Sequence, residues 1–209
     1  MKVDIATGND LDRGQESAVL INIAKQTGIV NVTEAAKSFL RGTFELVRVK
    51  ILDMVGIVKT TTTTEKFFAK DKFRKDSKEV KFYGIWDNFQ EWFLGEDGKV
   101  EEPIEEQELR YGNLIIGSVD GPIIEELGGE VKAETTLSEL YELLKKQANG
   151  KEGDLLTNGY VNIFYIKDKC GDLRAVSAYC YDDGWDVYAY SVEDPHEWGA
   201  GNRVFSRNS

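Results

Sequence analysis

The chain holds a single histidine, His196, among its 209 residues, and only two cysteines, Cys170 and Cys180. One histidine excludes an HExxH zinc site, any multi-histidine metal centre and a Cys/His zinc module. A Ser-His-Asp triad would have to use His196, which follows Pro195 in "EDPHEWGAGNRVF" and reads as part of a turn. Neither cysteine has an activating neighbour in sequence, so a Cys-His dyad has little to rest on. Nor do two cysteines make a disulfide framework. With Cys170 in a hairpin turn and Cys180 at the far end of the next strand, about eight residues at roughly 3.4 Å each separate them, beyond disulfide reach. They read as free thiols in a reducing compartment.

Long apolar runs are missing too. None approaches the roughly 20 residues that span a bilayer. The opening "MKVDIATGNDLDRGQES" lacks an apolar secretory core, so the expectation is a cytoplasmic protein. Positive charge is in deficit: 26 Lys and Arg against 37 Asp and Glu give a net charge of −11, which disfavours a general binder of nucleic acid or of anionic membranes. There is no GxxxxGK[ST] phosphate loop, and "GAGNR" at 199–203 has no strand-to-helix context. No EF-hand loop is present. The turn carboxylates Asp168, Asp172, Asp182, Asp183 and Asp186 fall at opposite ends of a meander and cannot combine on calcium. No metal and no cofactor is expected.

What is present reads as an α+β fold. "QESAVLINIAKQTG" at 15–28 and "NVTEAAKSFLRG" at 31–42 predict an N-terminal helical pair. The pair offers little beyond Lys37 and Arg41 to read DNA. Alternation over 43–53 and β-branched residues over 55–64 predict two strands, the threonines keeping the second one wet. The segment 65–79 reads as an irregular loop. "EVKFYGIW" reads as a strand, and "DNFQEWFLG" as a short element burying Phe89, Trp92 and Phe93. "EDGKVEEPIEEQE" is a turn and an acidic connection, and "RYGNLIIGSVDGPI" a strand ending in an Asp-Gly-Pro turn.

The clearest helix is "TTLSELYELLKKQANG". It has a capping-box pair in Thr136 and Glu139, an apolar stripe of Leu137, Leu140, Tyr141 and Leu144, and Lys145 and Lys146 at its C-terminal end. "YVNIFYIKD", "LRAVSAYCY" and "WDVYAYSVE" then form a three-stranded antiparallel meander. A turn at Asp183-Gly184 sets Tyr179 opposite Tyr188, and a four-residue loop sets Asp168 opposite Leu173. One face then carries Ile163, Tyr165, Val176, Ala178, Cys180, Val187 and Ala189, to be covered by the capped helix. The other carries Phe164, Ile166, Tyr179, Tyr181, Tyr188 and Tyr190. Cross-strand aromatic pairs contribute about 0.2–1 kcal/mol each, so the tyrosines have a structural use without any ligand.

The stretches "SVDGPIIEELGGE", "AETTLSELY", "NGYVNIFYIKD", "LRAVSAY", "GWDVYAYSVEDP" and "RVFSRNS" resemble a recurrent group of uncharacterised bacterial sequences. The resemblance covers about residues 110–209. It implies a coherent C-terminal α+β unit over 110–209 after an N-terminal unit over 1–109, unless one sheet joins them. It implies no activity and no site.

Three functions follow as expectations. The first is a non-catalytic intracellular binder of another protein, using Tyr179, Tyr181, Tyr188 and Tyr190 with Trp185 beside their turn. The second is a carboxylate-dependent enzyme or binder acting on carbohydrate or a small polar ligand beside Trp185 or Trp198. The third is nucleic-acid binding through 59–81, where eight Lys and Arg are interleaved with Phe67, Phe68 and Phe73, and Tyr83 follows.

Overall fold

The computed structural model describes residues 50–148, 150–182 and 184–208. The helical pair over 15–28 and 31–42, and residues 43–49 of the strand predicted over 43–53, lie outside the described residues. The elements that follow are β1 (Leu52–Lys59), β2 (Phe67–Phe68), α1 (Ala69–Lys72), β3 (Phe82–Ile85) and α2 (Asp87–Phe89), which continues as a π-turn over Gln90–Leu94. Next come β4 (Val100–Glu101), β5 (Glu108–Leu114), α3 (Asp120–Leu127), α4 (Glu130–Ala133), β6 (Glu134–Thr135) and α5 (Leu137–Lys146). The chain ends with β7 (Asn162–Lys167), β8 (Leu173–Tyr181), β9 (Gly184–Ser191) and β10 (Arg203–Arg207). None of these helices is long and apolar enough to cross a membrane.

An eight-stranded sheet runs β1-β5-β10-β7-β8-β9-β3, with β6 alongside β7. It takes strands from both sides of residue 110. The fold is α+β as expected, but the sheet is mixed and not antiparallel throughout. β10 runs parallel to the first half of β7, β6 parallel to its second half, and β3 parallel to β9. Parallel pairs need long crossover connections. Those connections join segments about 30 to 100 residues apart, which no local pattern reveals.

The meander is present with corrected register. Lys167 lies opposite Leu173, so the loop is residues 168–172 and not a four-residue turn. Asp168 closes it: its carboxylate accepts the N–H groups of Cys170 (2.8 Å) and Asp172 (3.1 Å), and Gly171 supplies a φ of 94°. One extra loop residue exchanges the two faces of β7. Phe164 and Ile166 therefore lie with Val176 and Ala178, while Ile163 and Tyr165 lie on the tyrosine side. The second hairpin pairs Tyr181 with Gly184 and Tyr179 with Asp186, a shift of two that leaves its faces unchanged. Cys170 is exposed and Cys180 buried, and no disulfide joins them.

α5 covers the side that carries Val176, Ala178, Val187 and Ala189. Leu137, Leu140, Leu143 and Leu144 pack there with Phe164, Phe205 and Trp185. Burying each such side chain stabilises the fold by roughly 1.5–3 kcal/mol. The start of α5 is held twice. Thr136 and Glu139 form the predicted capping box, and Glu101 accepts the N–H groups of Leu137 and Ser138 at 2.9 Å each. The segment 65–79 is not a free loop: Phe67, Ala69 and Phe73 join this core. Thr60 is buried at the end of β1, where its N–H reaches the Gln107 carbonyl at 2.9 Å. The Asp-Gly-Pro stretch opens α3 instead of making a turn. Pro122 sits in the first helical turn, where a missing N–H is harmless.

The opposite side is covered over only part of its width. Ile123, Ile124 and Leu127 of α3 and Ala133 of α4 pack on Leu52, Leu114, Val204, Ile163 and Tyr165. That layer covers the β1-β5-β10-β7 half. The β8-β9-β3 half, where the tyrosines stand, has no helix over it among the described residues.

Candidate functional site

Period-two alternation puts Tyr179 and Tyr181 of β8 on the same side as Tyr188 and Tyr190 of β9. The sequence assigned these four together, and they do share a face. Tyr181 is 57% exposed, and the other three are half-buried. Trp185, assigned with them, is on the opposite face and fully buried. It is the largest side chain of the α5-covered core, and its Nε1 donates to the Gln147 carbonyl at 3.1 Å. Its odd position in β9 points it away from the tyrosines, so it is a core residue and not part of their surface.

The tyrosines belong to a longer aromatic row. Trp86 stacks on Tyr188 with ring centroids 4.9 Å apart and planes 10° apart. Tyr188 lies nearly parallel to Tyr179 at 5.9 Å and to Tyr190 at 6.4 Å. Tyr190 stacks on His196 at 4.6 Å, and the Trp198 edge meets both rings. At the other end, Tyr83 meets Tyr181 edge-on at 6.3 Å. The sequence placed Tyr83 and Trp86 on a strand but could not show that this strand lies beside β9.

Gly84 makes the join possible. A Cβ there would stand 2.1 Å from Asp186 Oδ1 and 2.5 Å from Trp86 Nε1, atoms that bond to each other at 3.1 Å. Gly84→Ala is expected to cost about 1–3 kcal/mol by overpacking and to lift Trp86 off Tyr188. Thermal unfolding and the tryptophan emission maximum check both effects. An unshifted emission would mean that the indole is not held this way.

Beyond β9 the chain turns back over the sheet. Ser118 and Trp198 form a two-way backbone bridge, with N···O distances of 3.0 and 2.9 Å. Trp198 Nε1 and the Tyr165 hydroxyl each donate to Asp120 Oδ1 at 2.7 Å. Asp120 is fully buried, and its Oδ2 has no hydrogen-bond partner. Burial pushes this carboxyl above the usual aspartate range, against the pull of the two bonds.

The returning segment closes a cleft of about 330 Å³ against the tyrosines. Its walls include Tyr179, Tyr188, Tyr190, His196, Glu197 and Trp198. Among the described residues Glu197 is its one carboxylate, and no lysine or arginine lines it. Burial, with the Tyr179 hydroxyl 3.5 Å away, pushes the Tyr188 phenol above the usual tyrosine range. Burial does the same to Tyr190. Both phenols stay neutral and present hydroxyls as donors and acceptors.

The other candidate residues are dispersed. In the basic segment, Phe67 and Phe73 are core side chains, and only Phe68 (47%) and Tyr83 (55%) of the four rings are largely exposed. Several of its lysines already face acids: Lys66–Glu102 at 2.5 Å, Lys72–Glu79 at 3.2 Å, and Lys59–Glu106 and Lys59–Glu108 at 3.4 Å. Of the two tryptophans expected beside paired carboxyls, Trp185 is in the core. Trp198 has Glu197 on the cleft side and the buried Asp120 behind it. Among the described residues, no cluster of three or more His, Cys, Asp or Glu is arranged to hold a metal ion.

Comparison with family models, with curated proteins and with solved structures finds no match to this chain.

Proposed function

We propose that the protein is a non-catalytic binder of another protein and that the aromatic row across β3, β9 and β8 is its binding surface. The observation that carries this reading is the half of the sheet that no helix covers among the described residues. Among the described residues the helical layer stops at β7, and beyond it Tyr83, Trp86 and Tyr181 are 55%, 48% and 57% exposed, Tyr83 against Tyr181 and Trp86 stacked on Tyr188. Tyrosine and tryptophan give a large contact area with a polar edge and little rotamer entropy to lose, which is why they dominate binding hot spots.

A photo-crosslinking residue at position 181 identifies the partner, with position 145 on the exposed side of α5 as the control. The double variant Tyr83→Ala, Tyr181→Ala is then expected to lose roughly tenfold or more in affinity for that partner, with thermal stability nearly unchanged. Undiminished affinity would refute the assignment.

The cleft favours one second reading, a carbohydrate or small polar ligand. Trp198, Glu197 and Asn202 meet there, combining an aromatic wall with hydrogen-bonding groups.

A further inference from the structure

We propose that the cleft at the end of the aromatic row takes an organic cation, the ammonium or guanidinium group of a basic side chain on the bound protein. This rests on the protein-binding reading above and adds the chemistry of one contact.

The lining argues for that sign of charge. Rings of Tyr179, Tyr188, Tyr190 and Trp198 surround the space, Glu197 stands at its side, and among the described residues no lysine or arginine lines it. An aromatic ring attracts a cation through its quadrupole, most strongly where water is partly excluded. A carboxylate ligand would face Glu197, with the His196 imidazole as the one basic group in the lining among the described residues. Behind the Trp198 wall lies Asp120, fully buried, with one oxygen lacking a hydrogen-bond partner and no ion pair to a basic side chain among the described residues. The indole N–H donates to that same carboxyl at 2.7 Å, which leaves the ring more electron-rich toward the cleft. The chain as a whole carries a net charge of −11, so a basic partner is also drawn in over longer range.

The size fits as well. A volume of about 330 Å³ is near the lower limit for a ligand pocket and suits the end of a side chain better than a whole cofactor.

The test uses the full chain and a pair of isosteric probes. Choline and its uncharged carbon isostere 3,3-dimethyl-1-butanol are titrated at constant ionic strength, up to about 0.1 M, while the amide resonances of residues 188–202 are followed by NMR. Choline is expected to shift the resonances around Tyr188, Tyr190 and Trp198, and the isostere to leave them in place. Glu197→Gln, an exposed change that leaves the fold alone, is expected to weaken choline about two- to fivefold. Tyr190→Leu removes one ring while keeping apolar volume and is expected to weaken it further.

Equal shifts with both probes, no shift with choline, or preferential binding of propionate would overturn the proposal. The two readings separate cleanly. Partner binding that survives Glu197→Gln undiminished, in a protein that does not bind choline, removes the cation site and leaves the protein-binding surface. Choline binding in a protein whose partner affinity ignores Tyr83→Ala, Tyr181→Ala removes the surface and leaves the site.

Discussion

Replacing Arg207 by alanine is expected to destabilise the fold by about 3–5 kcal/mol, because it strands a buried carboxylate. Glu139 is fully buried at the start of α5. One of its oxygens accepts the Thr136 N–H at 2.8 Å, and the other meets Arg207 Nη1 from β10. This ion pair fastens the last strand to the helix that covers the sheet. Burial pushes Glu139 above the usual glutamate range even with Arg207 pulling it down. The folded state therefore holds the proton to higher pH than the unfolded state, and stability falls as pH rises through that window. Without Arg207 the pKa rises further. The deficit of Arg207→Ala should be largest at neutral pH and shrink in acid, where Glu139 becomes protonated and needs no partner. Adding Glu139→Gln keeps the capping bond without the charge and should recover part of the loss. Urea unfolding at several pH values reads all three effects. A deficit independent of pH would mean that the loss is one of packing alone.

Trp185→Ala is expected to cost a similar amount, about 3–5 kcal/mol, chiefly from the void left under α5, with the loss of one of the two hydrogen bonds to the Gln147 carbonyl. This substitution separates core from surface. Trp185 sits beside the tyrosines in sequence and on the other face of the sheet in space. The denaturant midpoint should fall, while affinity for a partner held on the tyrosine side is unchanged where the variant is folded. Lost affinity in a protein of normal stability would place Trp185 in the binding surface after all.

These two residues show where the sequence was legible. Helix α5 was readable because a capping box, a four-residue stripe and terminal lysines all lie within sixteen residues. The tyrosine face was readable because period-two alternation survives a shift of the turn by two in register. The β7 faces were not, because loop length sets register and Asp168 closes a five-residue loop with its own side chain. β10 went unread as a strand: "RVFSR" has no clean alternation and takes its place from β5 and β7, which lie far away in sequence.

The candidate site divides the same way. Tyr179, Tyr181, Tyr188 and Tyr190 come from one hairpin and could be grouped from local pattern. Tyr83 and Trp86 reach them through a parallel pairing across about a hundred residues. Trp198 and Glu197 reach them through the Ser118 bridge. The apparent basic patch at 59–81 dissolved for a related reason. Some of the acids that face its lysines sit on neighbouring segments and others within it, and two of its rings point into the core.

The central claim is that the half of the sheet left without a helix among the described residues is where another protein binds. Hydroxyl-radical footprinting of the chain, free and bound to the crosslinked partner, tests it most directly. Protection is predicted at Tyr83, Trp86, Tyr181 and His196, with Val131 and the exposed apolar residues of β1, Met54, Val55 and Ile57, unchanged. Protection of those β1 residues, with Tyr83 and Tyr181 as reactive as in the free chain, would contradict it.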